Sequence, residues 1–166
     1  MPPARRPLGR WGSLLYDGLG HLGGVILALM TLAIFTQVVF RYVFARAIDG
    51  IDEVPRYLFV WLVMIGAAAA MHRGQHTAVD YFRDRMGPTG RRVTIVLVNA
   101  IGALLFVSMI KVSLVLVPNA QYQTSAGLGL PLGYVFAAVP VGSALILVPM
   151  IRTIVVTLRE LWQKPS

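Results

Sequence analysis

Three side chains at four-residue spacing, His72, His76 and Asp80, are the first candidates for chemistry, because on one helix face they would stack three metal ligands. Gly74 falls between the two histidines where an apolar run is ending, so a loop-structuring role is the stronger reading and no metal is expected. A haem needs two imidazoles facing each other, and His21 and His72 lie near the ends of their apolar runs rather than deep within them. Glu53 and Arg56 are three apart and share a helix face. They can pair with each other or with a neighbouring chain, or form a solvated helix start. Arg41 belongs near the same level, where snorkelling to headgroups explains it equally well. Lys111 stands seven residues before Pro118, inside an apolar run. A charge at a helix centre in lipid costs roughly 2.5 to 3.5 kcal/mol on insertion scales. Lys111 therefore either snorkels or pairs with an acid on a partner subunit, since no acid lies at its depth in this chain. The runs hold no paired carboxylates, and the chain has no Gly-rich phosphate loop, no nucleophile elbow and no cysteine. Enzyme chemistry, thiolate metal sites and disulfides have nothing to stand on, and no cofactor is expected.

The elements that must position these residues are four long apolar runs, at about 20–44, 54–71, 93–117 and 132–156 of the 166 residues. At about 1.5 Å per residue, 25 residues make a helix of roughly 37 Å and 18 residues one of roughly 27 Å, against a hydrocarbon core of about 30 Å. With 57% hydrophobic residues, 13% charged residues and a mean hydropathy of +0.70, the chain lacks the polar surface that a soluble globule of 18.1 kDa needs. The fold class expected is all-α: a single polytopic membrane domain over 1–166 with four transmembrane helices. The first run is far longer than a signal peptide's apolar region and reads as an uncleaved span.

The net charge of +8 is topological. Eleven of the fifteen basic residues lie before span one, between spans two and three, or at the C-terminal end; Arg41, Arg46 and Arg56 lie on the opposite side and Lys111 within span three. By the positive-inside rule both termini and the middle loop are cytoplasmic, and the partners of this charge are anionic lipid headgroups, not nucleic acid. The first outer loop suits a turn and a helix start, with Asp52 as N-cap and Pro55 in the first turn. The middle loop has apolar residues at 78, 79, 81, 82 and 86 among charges, compatible with a short helix in the headgroup plane. Pro118 closes span three. The loop after it has no charge, which argues for irregular backbone packed on protein. Pro140 predicts a kink or a helix start, or a separate short helix before it. Gly66 to Ala70 are small enough to form a helix interface.

Four segments carry a resemblance over about Asp17 to Leu158: "FRYVF", "DEVPRYLFVWLVMIGAAAAMHRGQHTAVDYF", "QTSAGLGLP" and "AAVPVGSALILV". The chain resembles the small permease subunit, the DctQ family, of tripartite ATP-independent periplasmic (TRAP) transporters. In that family an acid opens the second span with a basic residue shortly after, matching Glu53 and Arg56. A midway glycine matches Gly66, and an Arg, Gly, His, Asp series matches Arg73, Gly74, His76 and Asp80. The family often has a Trp before the acid, where this chain reads "AIDGIDE". The resemblance implies a non-catalytic membrane subunit in a bacterial inner membrane. Its partners would be a large permease subunit that carries substrate and sodium, and a periplasmic substrate-binding protein that delivers organic anions such as carboxylates or sialic acid. Arg41, Glu53, Arg56, Gly66, Lys111, Gln123, Ser125 and Pro131 are the interface or docking candidates this implies. The expected outer platform comprises 46–56 and the uncharged 118–131 loop. Two other classes fit four spans: a haem-binding electron-transfer subunit and a small homodimeric exporter.

Overall fold

The computed structural model describes residues 10–46, 48–73 and 88–162. Their elements, in chain order, are α1 (Arg10–Tyr42), α2 (Glu53–Arg73), α3 (Pro88–Ala120), a short α4 (Gly133–Phe136) and α5 (Ala138–Trp162). Four segments are long and apolar enough to cross a membrane: Leu14–Tyr42, Glu53–His72, Gly90–Ala120 and Gly133–Glu160. The all-α, four-span architecture is therefore as expected. Among the described residues the nearest approach to a sheet is one antiparallel bridge, Thr124 to Pro131. α1 and α3 begin ahead of their apolar runs and α5 continues past its own, because backbone hydrogen bonding persists into polar sequence where hydropathy stops. Pro118 does not end its helix, which runs two residues further to Ala120. The expected interfacial helix, with Gly74, His76 and Asp80, lies outside the described residues, and Arg73 is the last residue of α2.

The spans pack as a row in the order α1, α2, α5, α3. α1 touches α2, α2 touches α5 and α5 touches α3, while α1 and α3 do not meet. The middle helices are accordingly the buried ones, with 28% and 33% of their spans covered against 11% for α1 and 6% for α3. In lipid, apolar burial gives helices little reason to associate, so close fit decides. Two glycines provide it. A Cβ on Gly102 of α3 would run into the Met150 side chain of α5, and one on Gly142 of α5 would lie 2.5 Å from Met64 Cβ of α2. The core joins residues of all four long helices: Tyr16, Ala68, Met71, Ile146 and Met150, with Leu19, Met64 and Phe106 against them.

Prolines mark the irregular points of the row. The break at Ala137, between α4 and α5, keeps right-handed helical dihedrals (φ −61°, ψ −22°). It falls where Pro140, in the first turn of α5, cannot donate to the Phe136 carbonyl four residues back. Pro149 withholds a donor from Leu145 in the same way, and here the structure supplies a substitute: the Tyr16 hydroxyl of α1 donates to the Leu145 carbonyl at 2.7 Å. Tyr16 is 3% exposed and stacks on His72 of α2 with ring centroids 4.4 Å apart, so one side chain ties three helices. The hydroxyls of Thr31, Ser108 and Ser113 and the Asn99 amide donate to carbonyls four residues back in their own helices. These four groups are thus supplied locally, whereas Asn99 Oδ1 and the Ser143 hydroxyl are buried without a hydrogen-bond partner.

Candidate functional site at the Glu53 end of the row

α2 starts at Glu53, directly after Asp52, with Pro55 in its first turn. The start is buried. Glu53 is 9% exposed, and it neither pairs with Arg56 nor forms the solvated helix start that spacing allowed. Its carboxylate reaches across to the loop between α3 and α4. Oε1 accepts the Gly127 N–H at 3.0 Å, while Oε2 accepts the Leu128 N–H at 3.3 Å and the Tyr57 hydroxyl at 3.2 Å. The Ser125 hydroxyl faces the same carboxylate. An ionised carboxylate has about four acceptor positions, and three hydrogen bonds fill most of them. Glu53 is a clamp between the start of α2 and this loop.

The loop it holds is shaped by its own backbone. Leu132 N–H donates to the Gln123 carbonyl at 2.8 Å and Ser125 N–H to the Leu130 carbonyl at 2.9 Å, closing a narrow turn around the bridge from Thr124 to Pro131. Gly129 takes φ +64° and donates to the Ser125 carbonyl. Ser125 Oγ accepts the Leu128 and Leu130 N–H groups, both at 3.3 Å. The N–H groups of Ser125 and of 127–130 are thus all donated, within the loop or to Glu53. Two glycines bring it against the α1–α2 loop. Gly50 sits at φ +79°, and a Cβ there would lie 2.7 Å from the Gly127 carbonyl carbon; a Cβ on Gly127 would overlap Gly50 Cα. The two halves of the expected platform, 46–56 and 118–131, are thus joined through Glu53 and a glycine-to-glycine contact.

The remaining candidates are not gathered with them. Arg56 pairs with Asp52 at 3.7 Å, both side chains being largely exposed, so Asp52 serves as its partner across one turn. Arg41 lies exposed in the last turn of α1. Gln123 contributes its backbone carbonyl to the turn and its residue is exposed; Pro131 is half-buried and accepts the Tyr134 N–H. Gly66 is exposed, and a Cβ there would meet nothing within 4 Å, whereas Ala68 and Ala69 beside it are buried. The small-residue stretch therefore splits between an inner and an outer face. Lys111 is exposed on α3. Of the two histidines weighed for haem, His72 stacks on Tyr16, and His21 Nδ1 lies 2.8 Å from the Asp17 carbonyl of its own helix.

Tyr57, Tyr16 and the Gly50–Gly127 contact escaped sequence reasoning. Signals for two of them exist. Tyr57 is four residues after Glu53 on the same helix face, and a proline at 149 orphans the carbonyl at 145, which then requires a donor from elsewhere.

Comparison with known proteins gives a consistent picture. The family described as tripartite ATP-independent periplasmic transporters, DctQ component, matches residues 30–160. A protein of Haemophilus influenzae named a putative TRAP transporter small permease protein is 40% identical over 68 residues, covering 41% of this chain and 42% of that protein. The C4-dicarboxylate TRAP transporter small permease protein DctQ of Rhodobacter capsulatus is 34% identical over 96 residues, 57% of this chain and 42% of that one. The sialic acid TRAP transporter permease protein SiaT of Haemophilus influenzae is 24% identical over 131 residues, 79% of this chain but 21% of its own length. The matches thus span about two-fifths of the small permease relatives and about a fifth of the longer permease.

Proposed function

Because the chain belongs to the DctQ component family of tripartite ATP-independent periplasmic transporters and is a multi-pass protein of the bacterial inner membrane, we propose that it acts as a non-catalytic scaffold within such a transporter. It holds a large permease subunit in place and presents the Glu53 end of the row to a periplasmic substrate-binding protein, for ion-coupled, sodium-driven uptake of organic anions. Carboxylates and sialic acid are the substrate classes that the names of its relatives suggest.

The observation that carries this reading is the Glu53 clamp. A carboxylate at a helix start, buried and accepting two backbone N–H groups from a loop more than seventy residues away, holds an irregular, uncharged surface at one end of a membrane protein. A rigid rim of that kind suits docking, because a partner that binds it need not order it first. The relation to SiaT supports the large partner: there, sequence like this chain occupies a fifth of a longer permease polypeptide.

The test is recovery of the tagged protein from native membranes in mild detergent. A large polytopic membrane protein is expected at about one to one, with the soluble binding protein captured when its substrate is added. Recovery as a lone homodimer, or with a visible haem spectrum, overturns the reading in favour of the exporter or the electron-transfer class.

A further inference from the structure

α3 is an edge helix that uses one side only. Asn99, Gly102, Phe106 and Ser113 lie on its covered side, and at about 100° per residue Lys111 points roughly 150° away from their mean direction. On that open side, Leu97, Ile101, Leu104, Ser108, Lys111 and Val115 recur at alternating spacings of four and three and are all exposed. This is the spacing at which one helix meets a second along a shallow crossing. Five of the six suit lipid or a neighbouring helix equally. Lys111 does not.

Nine residues separate Lys111 from the helix end at Ala120, about 13 Å along the axis. Tyr122 and Tyr134, 89% and 65% exposed, mark the headgroup level just beyond that end. A lysine side chain extends about 6 Å, and in a helix it leaves the backbone tilted toward the N-terminus. In α3 that direction leads away from Ala120 and toward the other membrane face. Reaching the nearer headgroups therefore requires the side chain to turn back against the direction in which it leaves the helix. A carboxylate on a neighbouring helix compensates the charge directly. This chain has none to give, in the same copy or a second one. Its seven acids are Asp17, Asp49, Asp52, Glu53, Asp80, Asp84 and Glu160, all at span ends or in loops.

We infer that Lys111 forms an intramembrane ion pair with an Asp or Glu on a transmembrane helix of a different polypeptide, seated along the open side of α3. Resting on the reading above, that polypeptide is the large permease subunit, and the pair fixes the depth at which its helix docks. Charge complementarity selects this occupant over lipid and over a homodimer, which would bring two lysines together.

The experiment places a photo-cross-linking amino acid at Leu104 or Val115, with Val148 on the exposed side of α5 as control, and combines it with Lys111→Met and Lys111→Arg in the full complex. The expected result is a cross-link to a large membrane protein from 104 and 115 but not from 148. K111M should lower recovery of that partner about tenfold, while K111R retains it. Lys111→Met improves the fit to lipid, so lost recovery with undiminished membrane level of this chain reports the pair and not misfolding. Cross-links to lipid alone, or a K111M complex that survives intact, overturn the inference while a one-to-one complex leaves the transporter reading standing. Recovery of the wild-type chain without any large partner overturns both.

Discussion

A carboxylate at a membrane edge must find water or donors, and Glu53 finds three donors, two of them backbone N–H groups of a distant loop. Glu53→Gln keeps the volume but replaces one acceptor oxygen with an NH₂, which then points a donor at the Gly127 or the Leu128 N–H group. The expected outcome is a loosened loop, read as faster amide exchange at 125–130, and several-fold weaker capture of the binding protein. Amount in the membrane and recovery of the large partner stay unchanged. Arg56→Ala differs. Its partner Asp52 is 3.7 Å away and both are largely exposed, so loss of the pair costs about 0 to 1 kcal/mol and exchange at 125–130 should stay as in the wild type. Equal effects of the two substitutions on the loop would contradict the clamp. The acid and the base that the sequence offers as a matched pair thus do separate work. Spacing brought them to one helix, but burial of the acid was decided by a loop far away in the chain.

Glycines divide the helices by what each must touch, and the division predicts opposite responses to the same substitution. Gly142→Ala drives a methyl against Met64 Cβ and should loosen the row and lower thermal stability in detergent, whereas the methyl of Gly102→Ala meets the flexible end of the Met150 side chain and should cost less. Gly66→Ala meets nothing within its own chain and removes a helix-interior glycine, gaining up to about 1 kcal/mol in the isolated subunit. If another helix approaches α2 closely at Gly66, the same substitution lowers recovery of the complex while raising the melting temperature of the subunit. Unchanged recovery would show that the outer face of α2 meets lipid. At this scale the four spans, the turn into α2 and the separate short helix before Pro140 were legible, because hydropathy, turn chemistry and proline geometry are local. The row order was not. Helices apolar all round carry no stripe to say which side faces in, and Gly66, Gly102 and Gly142 look alike until their neighbours are known. The Glu53 clamp was legible only as two separate halves, a platform of two loops without the bond between them.

An open row with unequal basic charge at its two ends should be oriented by the membrane before any partner arrives. α1 and α3 finish, and α2 and α5 begin, at the same end as the Glu53 clamp. That end carries Arg41, Arg46 and Arg56, against Asp49, Asp52 and Glu53. The other end and its flanking segments carry eleven basic residues. With translocation of each Lys or Arg opposed, the positive-inside rule predicts that the poorer end is the one that crosses, with the clamp on the periplasmic side and both termini in the cytoplasm. Exposed aromatic residues give the two levels a handle: Tyr122 at the clamp end is 89% exposed and Trp162 at the far end 88%. The chain contains no cysteine, so single Tyr122→Cys and Trp162→Cys variants report without background. A membrane-impermeant maleimide applied to intact spheroplasts should label Y122C at once and W162C only after the membrane is opened. The reverse pattern would place the Glu53 surface in the cytoplasm, where no periplasmic protein can reach it. The docking role would then fall even if the large partner were found. Because the charge asymmetry predicts this outcome independently of the clamp, agreement between labelling and the E53Q capture result would join two separate physical arguments, one from translocation and one from hydrogen bonding, at the same end of the molecule.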